Sequence, residues 1–171
     1  MKKTYLQNSS TRHQKPESSI SLSEALAKIQ KYCAYQERCH QEVKFKLNTY
    51  GLSSEEVDEI VSTLITENFV NEARFAKAFA GGKFRIKKWG RNKIVNELES
   101  HGLTNACILL GLKEIDSSDY AKTLRGLLLK KAEEISDDNL FLKRNKVARF
   151  AIAKGYEPDL VWETVKELVI A

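Results

Sequence analysis

The sequence has few residues of the kinds that break helices or cross-link chains. Its 171 residues include two prolines, eight glycines and three cysteines, with no CxxC pair and no alternating runs of β-branched residues. This cysteine pattern is not that of a disulfide framework or a structural zinc site. The scarcity of helix breakers and of strand-forming runs favours an all-α protein with almost no strand.

Long apolar stretches are also missing. Each apolar run is a handful of residues, far below the ~20 that a membrane-spanning helix needs. The N-terminus lacks the apolar segment of a secretion signal. We therefore expect a cytoplasmic protein that does not bind a membrane. The net charge of +5 is compatible with an acidic partner such as nucleic acid.

Catalytic and metal-binding motifs are weak. The segment 81–84, Gly-Gly-Lys-Phe, lacks the Ser or Thr that follows the lysine of a phosphate-binding loop, and Lys77 replaces that loop's first glycine. The histidines have no partner four residues away of the kind found in helical metal sites. They are His13, His40 and His101. We predict that the protein is not an enzyme and needs no metal or cofactor.

Against this background, three glycines recur in a fixed pattern. They are Gly51, Gly102 and Gly155, spaced 51 and 53 residues apart, each with an aliphatic residue four and eight positions earlier. Ten of the twelve positions that lie 6, 9, 10 and 13 residues after them are also aliphatic. This spacing returns to one helix face at every turn, so it predicts one helical module written three times. Each glycine is predicted to end a helix in the left-handed conformation.

The repeat divides the chain into an arm and three modules of three helices. The polar residues 1–20 are predicted to be a disordered arm, since they hold too little apolar surface to order themselves. The modules are predicted at 21–69, 70–115 and 116–171 and should form an elongated array in which each contacts its neighbours. The predicted helix-start residues are Ser21, Ser53, Thr104 and Pro158.

Three local features are expected within the modules. The second helix should begin near Arg38, and Ile65 should face inward with the other aliphatic residues of the third helix. The pair Gly81-Gly82 should produce a kink or a close helix contact, because glycine destabilises a helix interior by about 1 kcal/mol.

The charges are clustered. Residues 83–93 hold six cations and no acid: Lys83, Arg85, Lys87, Lys88, Arg91 and Lys93. A second cluster comprises Lys143, Arg144, Lys146 and Arg149.

Counted back from the module glycines, Arg91 and Arg144 both lie eleven residues before, and Lys93 and Lys146 both lie nine before. In a stacked array they would form a row that could contact a polyanion or an acidic protein groove. The alternative is a solvated helix face. Trp89, beside the cations, either stacks on a base or fills a gap between helices.

Several segments resemble one family of bacterial proteins. Residues 71–79 (Asn-Glu-Ala-Arg-Phe-Ala-Lys-Ala-Phe), residues 89–94 (Trp-Gly-Arg-Asn-Lys-Ile) and Glu97-Leu98-x3-Gly102-Leu103 resemble the central module of the RecX regulatory proteins. Residues 33–38 and the pattern Val43-x3-Leu47-x3-Gly51-Leu52 resemble the preceding module. The resemblance covers about residues 22–168 and is loosest in the third module.

The resemblance implies a curved array of three-helix modules that lies in the groove of the RecA filament on single-stranded DNA. It implies a non-enzymatic regulator that lowers the ATP hydrolysis, strand exchange and coprotease activity of RecA. The ten clustered cations are then candidate contacts with RecA or DNA, and the protein is expected to act as a monomer. Two alternatives are a module that binds DNA directly and a plain scaffold.

Overall fold

The computed structural model describes residues 20–170, and in that part of the chain the regular structure is helical throughout. The helices are α1 Leu22–Tyr35, α2 His40–Asn48, α3 Ser54–Thr66, α4 Glu72–Lys87, α5 Arg91–Ser100, α6 Asn105–Leu112, α7 Ser117–Glu134, α8 Leu140–Ala153 and α9 Pro158–Leu168. The predicted arm, except for Ile20, lies outside the described residues.

The helices pack in groups of three. Helices α1, α2 and α3 contact one another in module one, α4, α5 and α6 do so in module two, and α7, α8 and α9 do so in module three. Each of the larger helix–helix contacts joins two helices of the same module. The prediction of an all-α protein made of tandem three-helix modules is confirmed.

Side-chain caps begin several helices where the sequence predicts them. The hydroxyls of Ser21, Ser53 and Thr104 accept main-chain N–H groups three residues later at 3.2, 3.3 and 3.4 Å. Each satisfies a donor that has no partner inside its own helix. Pro158 is the first residue of α9, where its missing N–H costs nothing.

The start of α2 differs from the prediction. The helix begins at His40 rather than near Arg38, because Cys39 is in an extended conformation at the N-cap. The carboxylate of Glu42 accepts the N–H of Cys39 at 3.3 Å. Cys39 is therefore held at the helix end, fully buried.

The three repeated glycines have the left-handed conformation, with φ of 72° at Gly51, 76° at Gly102 and 92° at Gly155. After the second and third of them, Leu103 and Tyr156 each donate an N–H to the carbonyl five residues earlier, at 3.2 Å. This hydrogen bond closes a helix end and requires the left-handed residue before it.

Module one has its own hydrophobic core, whereas modules two and three share one. Ile29, Leu47 and Leu64 are fully buried in the first core, one from each helix of module one. The second core is continuous from Phe75 in α4 to Val169 after α9. Module two is therefore joined more intimately to module three than to module one.

Two local expectations need correction. Ile65 is 45% exposed rather than inward-facing. Helix α4 continues without a break through Gly81-Gly82, and its close contact with another helix lies elsewhere. It occurs at Gly111 of α6, where an added Cβ would lie 2.7 Å from the carbonyl oxygen of Ala76. A glycine is needed there because the two backbones touch.

Candidate partner-binding surface

The basic stretch of module two lies on the last turns of α4 and the first turns of α5. Arg85, Lys87 and Lys88 are exposed, and none has an ion-pair partner among residues 20–170. Lys88 has a left-handed φ of 55° and ends α4. The guanidinium of Arg85 lies back against Gly81, 2.8 Å from where a Cβ would stand. Lys83 and Lys93 also have no ion-pair partner among residues 20–170, but unlike these three cations their ammonium groups lie over aromatic rings.

Trp89 lies between two lysines of the same stretch. The ammonium of Lys93 is 4.6 Å and that of Lys83 5.0 Å from the indole ring centre, and Lys83 is also 4.9 Å from the ring centre of Phe79. The indole is half-buried and packs on the shared core. Trp89 thus fills a gap between helices, and its ring attracts both cations through its negative face.

Arg91 contacts two residues of module three, Tyr120 and Glu157. Its guanidinium lies over the ring of Tyr120 at 4.0 Å and 3.5 Å from a carboxylate oxygen of Glu157. Its main-chain N–H donates to the Tyr120 hydroxyl at 3.0 Å, and that hydroxyl donates to Glu157 at 2.6 Å. Burial, followed by this bond to a carboxylate, raises the pKa of Tyr120 well above its ordinary value.

The cluster in module three is partly engaged as well. Nε of Arg144 donates to the main-chain carbonyl of Val169 at 2.8 Å, so it holds the end of α9. Lys146 pairs with Asp137 at 2.7 Å. Lys143 and Arg149 have no ion-pair partner in the described part of the chain. The aligned residues of the predicted row therefore have different neighbours, although they share a position in their modules.

A main-chain contact joins modules two and three, and we call it the second junction. The N–H of Gly90 donates to the carbonyl of Lys154 at 2.8 Å, and the N–H of Asn92 donates to that of Gly155 at 3.0 Å. The free donors at the start of α5 thus bind the free acceptors at the end of α8. A Cβ on Gly90 would lie 2.2 Å from the carbonyl carbon of Gly155.

The first junction, between modules one and two, uses the corresponding positions. Cys39 lies twelve residues before Gly51, as Gly90 lies twelve before Gly102. The Cys39 sulfur is 3.7 Å from Nδ1 of His101, the residue just before Gly102. The start of α2 therefore faces the end of α5, as the start of α5 faces the end of α8.

Polar side-chain contacts surround the first junction. His40 is 3.1 Å from a carboxylate oxygen of Glu72, and Arg74 donates to Glu37 at 2.6 Å. Each pair joins module one to the first helix of module two.

Sequence reasoning missed the residues that form the second junction. Neither Gly90 nor Tyr120 is among the contact residues that the sequence predicts. The available signal was the position of Gly90, since it stands at the same distance from its module glycine as the small residue Cys39. The rings of Phe84, Tyr120 and Tyr156 stack across this junction with centroid separations of 5.7 and 4.9 Å.

Within residues 20–170, His, Cys, Asp and Glu side chains form no group that could hold a metal ion. No described helix has the length and apolar composition that would let it cross a membrane.

Comparison with known families identifies the central module. The family model described as RecX, second three-helix domain, matches residues 71–109. These residues extend from the N-cap of α4 into α6 and include the whole basic stretch, residues 83–93.

Relatives that match most of the chain are named Regulatory protein RecX. The protein of Clostridium botulinum (strain Eklund 17B / Type B) is 28% identical over 134 residues, which cover 77% of this chain and 62% of that protein. The protein of Prosthecochloris aestuarii is 28% identical over 138 residues, covering 81% and 89% respectively. The chain thus matches less than two thirds of the clostridial protein's length.

A solved structure shares the fold. The crystal structure of RecX from Lactobacillus salivarius superposes with a TM-score of 0.77 at 22% identity, covering 86% of this chain and 96% of that one. Residues 71–109 thus match the second three-helix domain of RecX, and most of the chain is similar to proteins named Regulatory protein RecX.

Proposed function

We propose that the chain is a non-enzymatic regulator of the recombinase RecA. It binds the RecA filament on single-stranded DNA as a monomer in the cytoplasm and lowers the ATPase, strand-exchange and coprotease activities of RecA. The relatives named Regulatory protein RecX support this proposal. A tandem array can bridge successive subunits of a helical filament, and its separated charges can fix the register of binding.

The observation that carries the proposal is the set of unpaired cations in module two. Arg85, Lys87 and Lys88 are exposed and have no carboxylate partner among the described residues, within the module that the family model matches. Such cations gain free energy by releasing counterions from phosphates or by pairing with acidic side chains. Arg91, Arg144 and Lys146 have internal partners, and we assign them a smaller share of the contact.

The test is the single-stranded-DNA-dependent ATPase activity of RecA. We expect the wild-type chain to inhibit at equimolar or lower concentration, and the variant Arg85→Glu/Lys87→Glu to need about tenfold more protein for half-inhibition. The matched control is Lys31→Glu/Lys166→Glu, which changes the net charge equally at exposed lysines of modules one and three. No inhibition by the wild type, or equal losses in both variants, would contradict the proposal.

Direct binding to DNA is the second candidate, since the exposed cations Arg85, Lys87 and Lys88 are equally suited to contact the phosphates of naked DNA. Anisotropy titrations with naked single-stranded and duplex DNA over a salt series distinguish the two. Tight, sequence-selective binding without an effect on RecA would favour the second candidate. Weak binding with a steep salt dependence fits accessory phosphate contacts within the filament.

A further inference from the structure

The third helix of module two has an apolar outer face that its counterparts lack. In α6, Leu109 is 62% exposed and Leu110 is 37% exposed. These residues lie seven and eight positions after Gly102, and the corresponding residues are Asp58 and Glu59 in α3. In α9 the second of these positions is again acidic, at Glu163. Module two thus exposes leucine at both positions, where module one has two acids and module three has Trp162 and Glu163.

The composition of α6 leaves it without a polar stripe. Residues 106–110 and 112 are all apolar, and the inward side is already filled by Ile108 and by Gly111 against α4. A helix that is apolar on all sides is ordinarily buried on all sides. Adjacent exposed leucines on such a helix indicate a surface that another molecule covers.

A groove continues this face toward module three. It has a volume of about 700 Å³, and its apolar lining comes from Leu109, Leu112 and Ile115. Module three closes one side with Ser117, the first residue of α7. The groove therefore lies where modules two and three meet, and of its lining residues only Arg91 also has a share in the RecA proposal.

The free charge in the groove is positive. Lys113 has no ion-pair partner among residues 20–170. Asp116 uses one carboxylate oxygen to accept the N–H groups of Ser118 and Asp119, at 2.8 and 3.0 Å. The remaining charged group, Arg91, lies 3.5 Å from Glu157. An occupant that places a carboxylate beside Lys113 would complete the groove.

We propose that the outer face of α6 and the groove beside it are a docking surface for an amphipathic protein segment with leucine-like side chains next to carboxylates. The leucines of the segment cover Leu109 and Leu110, and a carboxylate pairs with Lys113. A second copy of the chain fits less well, since a symmetric contact through this face would bring two Lys113 side chains together. This surface is separate from the exposed cations of α4.

Binding of a defined peptide tests the proposal without RecA. The probe is a fluorescein-labelled helical peptide of about 16 residues with leucines along one face and glutamates elsewhere, and its counterpart replaces glutamate with lysine. We expect the acidic peptide to bind at least about tenfold more tightly than the basic one. Amide NMR shifts on binding should map to α6 and Lys113 rather than to residues 85–88.

Substitutions taken from module one provide the matched variants. Leu109→Asp/Leu110→Glu installs the residues that module one carries at these positions and should weaken the acidic peptide by about tenfold or more. The control Ile86→Asp/Phe141→Asp alters side chains that are 76% and 72% exposed on other helices, and it should change affinity less than about twofold. Lys113→Glu should remove the preference for the acidic peptide.

Several results would overturn the proposal. The first is equal affinity of the wild type for the acidic and basic peptides. The second is that Leu109→Asp/Leu110→Glu binds the acidic peptide as tightly as the wild type does. The third is that the wild type forms concentration-dependent dimers and that this variant does not. Circular dichroism checks folding, and the milder Leu109→Ser replaces the double variant if that variant is unfolded. A failure to inhibit RecA would contradict only the proposed function, because the peptide assay contains no RecA.

Discussion

The second junction is closed by the main chain, whereas the first is closed by side chains. Gly90 and Asn92 donate to carbonyls at the end of α8. In the first junction, Cys39 and His101 occupy the positions that correspond to Gly90 and Lys154. There the Cys39 sulfur contacts the imidazole ring of His101. One repeat thus supports two kinds of joint, because a residue without a side chain lets backbones touch while a thiol keeps them apart.

The shared core reinforces this difference. Modules two and three have one continuous core with three stacked aromatic rings across their junction. Module one keeps a separate core and reaches module two through Cys39 and through ion pairs such as that between Glu37 and Arg74. Partly exposed ion pairs contribute little to stability. We therefore expect the first junction to open at lower free energy than the second.

The substitution Gly90→Ala should have the largest effect. Its Cβ would lie 2.2 Å from main-chain atoms of Gly155 and Tyr156, so the backbones must separate and their hydrogen bonds must break. We expect a loss of about 3 kcal/mol or more in the free energy of unfolding, measured in urea. Cys39→Ala, the matched change in the first junction, should cost about 1 kcal/mol. Equal losses would remove the distinction between the junctions.

The substitution Gly102→Val comes next. Gly102 has a φ of 76°, and in the described part of the chain no atom lies within 4 Å of an added Cβ, so the cost comes from conformational strain. We expect a loss of about 2 kcal/mol by thermal or urea unfolding. Gly82→Ala is the control, since this helical glycine also has open space around it and should gain about 0.5–1 kcal/mol. An unchanged stability of Gly102→Val would contradict its role as a helix stop.

The two buried tyrosines of the second junction offer a finer comparison. Tyr120→Phe removes a hydroxyl that accepts from Arg91 and donates to Glu157, and it should cost about 1–2 kcal/mol. The Tyr156 hydroxyl is buried and has no hydrogen-bond partner among residues 20–170. Tyr156→Phe should therefore be neutral or slightly stabilising in the same urea titration. A larger loss for Tyr156→Phe would show that the polar network does not hold the junction.

Alkaline pH should have the smallest effect on the free energy of unfolding. It should destabilise module one at a lower pH than the second junction. Burial raises the pKa of Cys33 from 9.0 to about 11 and also raises the pKa of Cys39. The unfolded chain releases these protons near pH 9 while the folded chain keeps them, so stability falls as pH rises above 9. Urea unfolding between pH 8 and pH 10 should show a loss of about 1–2 kcal/mol.

The variant Cys33→Ala/Cys39→Ala should lack most of this alkaline loss. Burial raises the pKa of Tyr156 to about 12, from an ordinary value of 10.0, so the second junction should weaken only at higher pH. A wild-type protein whose stability is constant from pH 8 to pH 10 would contradict the assignment.

Local signals in the sequence predicted much of the fold. Ser21, Ser53 and Thr104 cap the helices that follow them, because a cap depends on hydrogen bonds only three residues long. The spacing of Gly51, Gly102 and Gly155 correctly predicted the ends of the second helices, because a left-handed glycine ends a helix through hydrogen bonds that are also short in sequence. Ile65 was misplaced because it lies in the last turn of α3, where small changes of helix geometry decide exposure.

The candidate site was less predictable because it depends on neighbouring modules. Arg91 and Arg144 have the same distance from their glycines, yet one contacts Tyr120 and Glu157 while the other holds the carbonyl of Val169. Module three is followed by no further module among the described residues, so its second helix has different surroundings. Position within a repeat therefore specifies where a cation stands and leaves its partner undetermined.

The contacts between second helices give the molecule a direction. The start of α2 faces the end of α5, and the start of α5 faces the end of α8. Each contact opposes a positive helix end to a negative one, and among residues 20–170 no helix end faces the start of α8 or the end of α2 in this way. The two extremities of the array are therefore chemically unlike. A partner that is itself directional, as a protein filament on one DNA strand is, would accept this molecule in only one of two orientations.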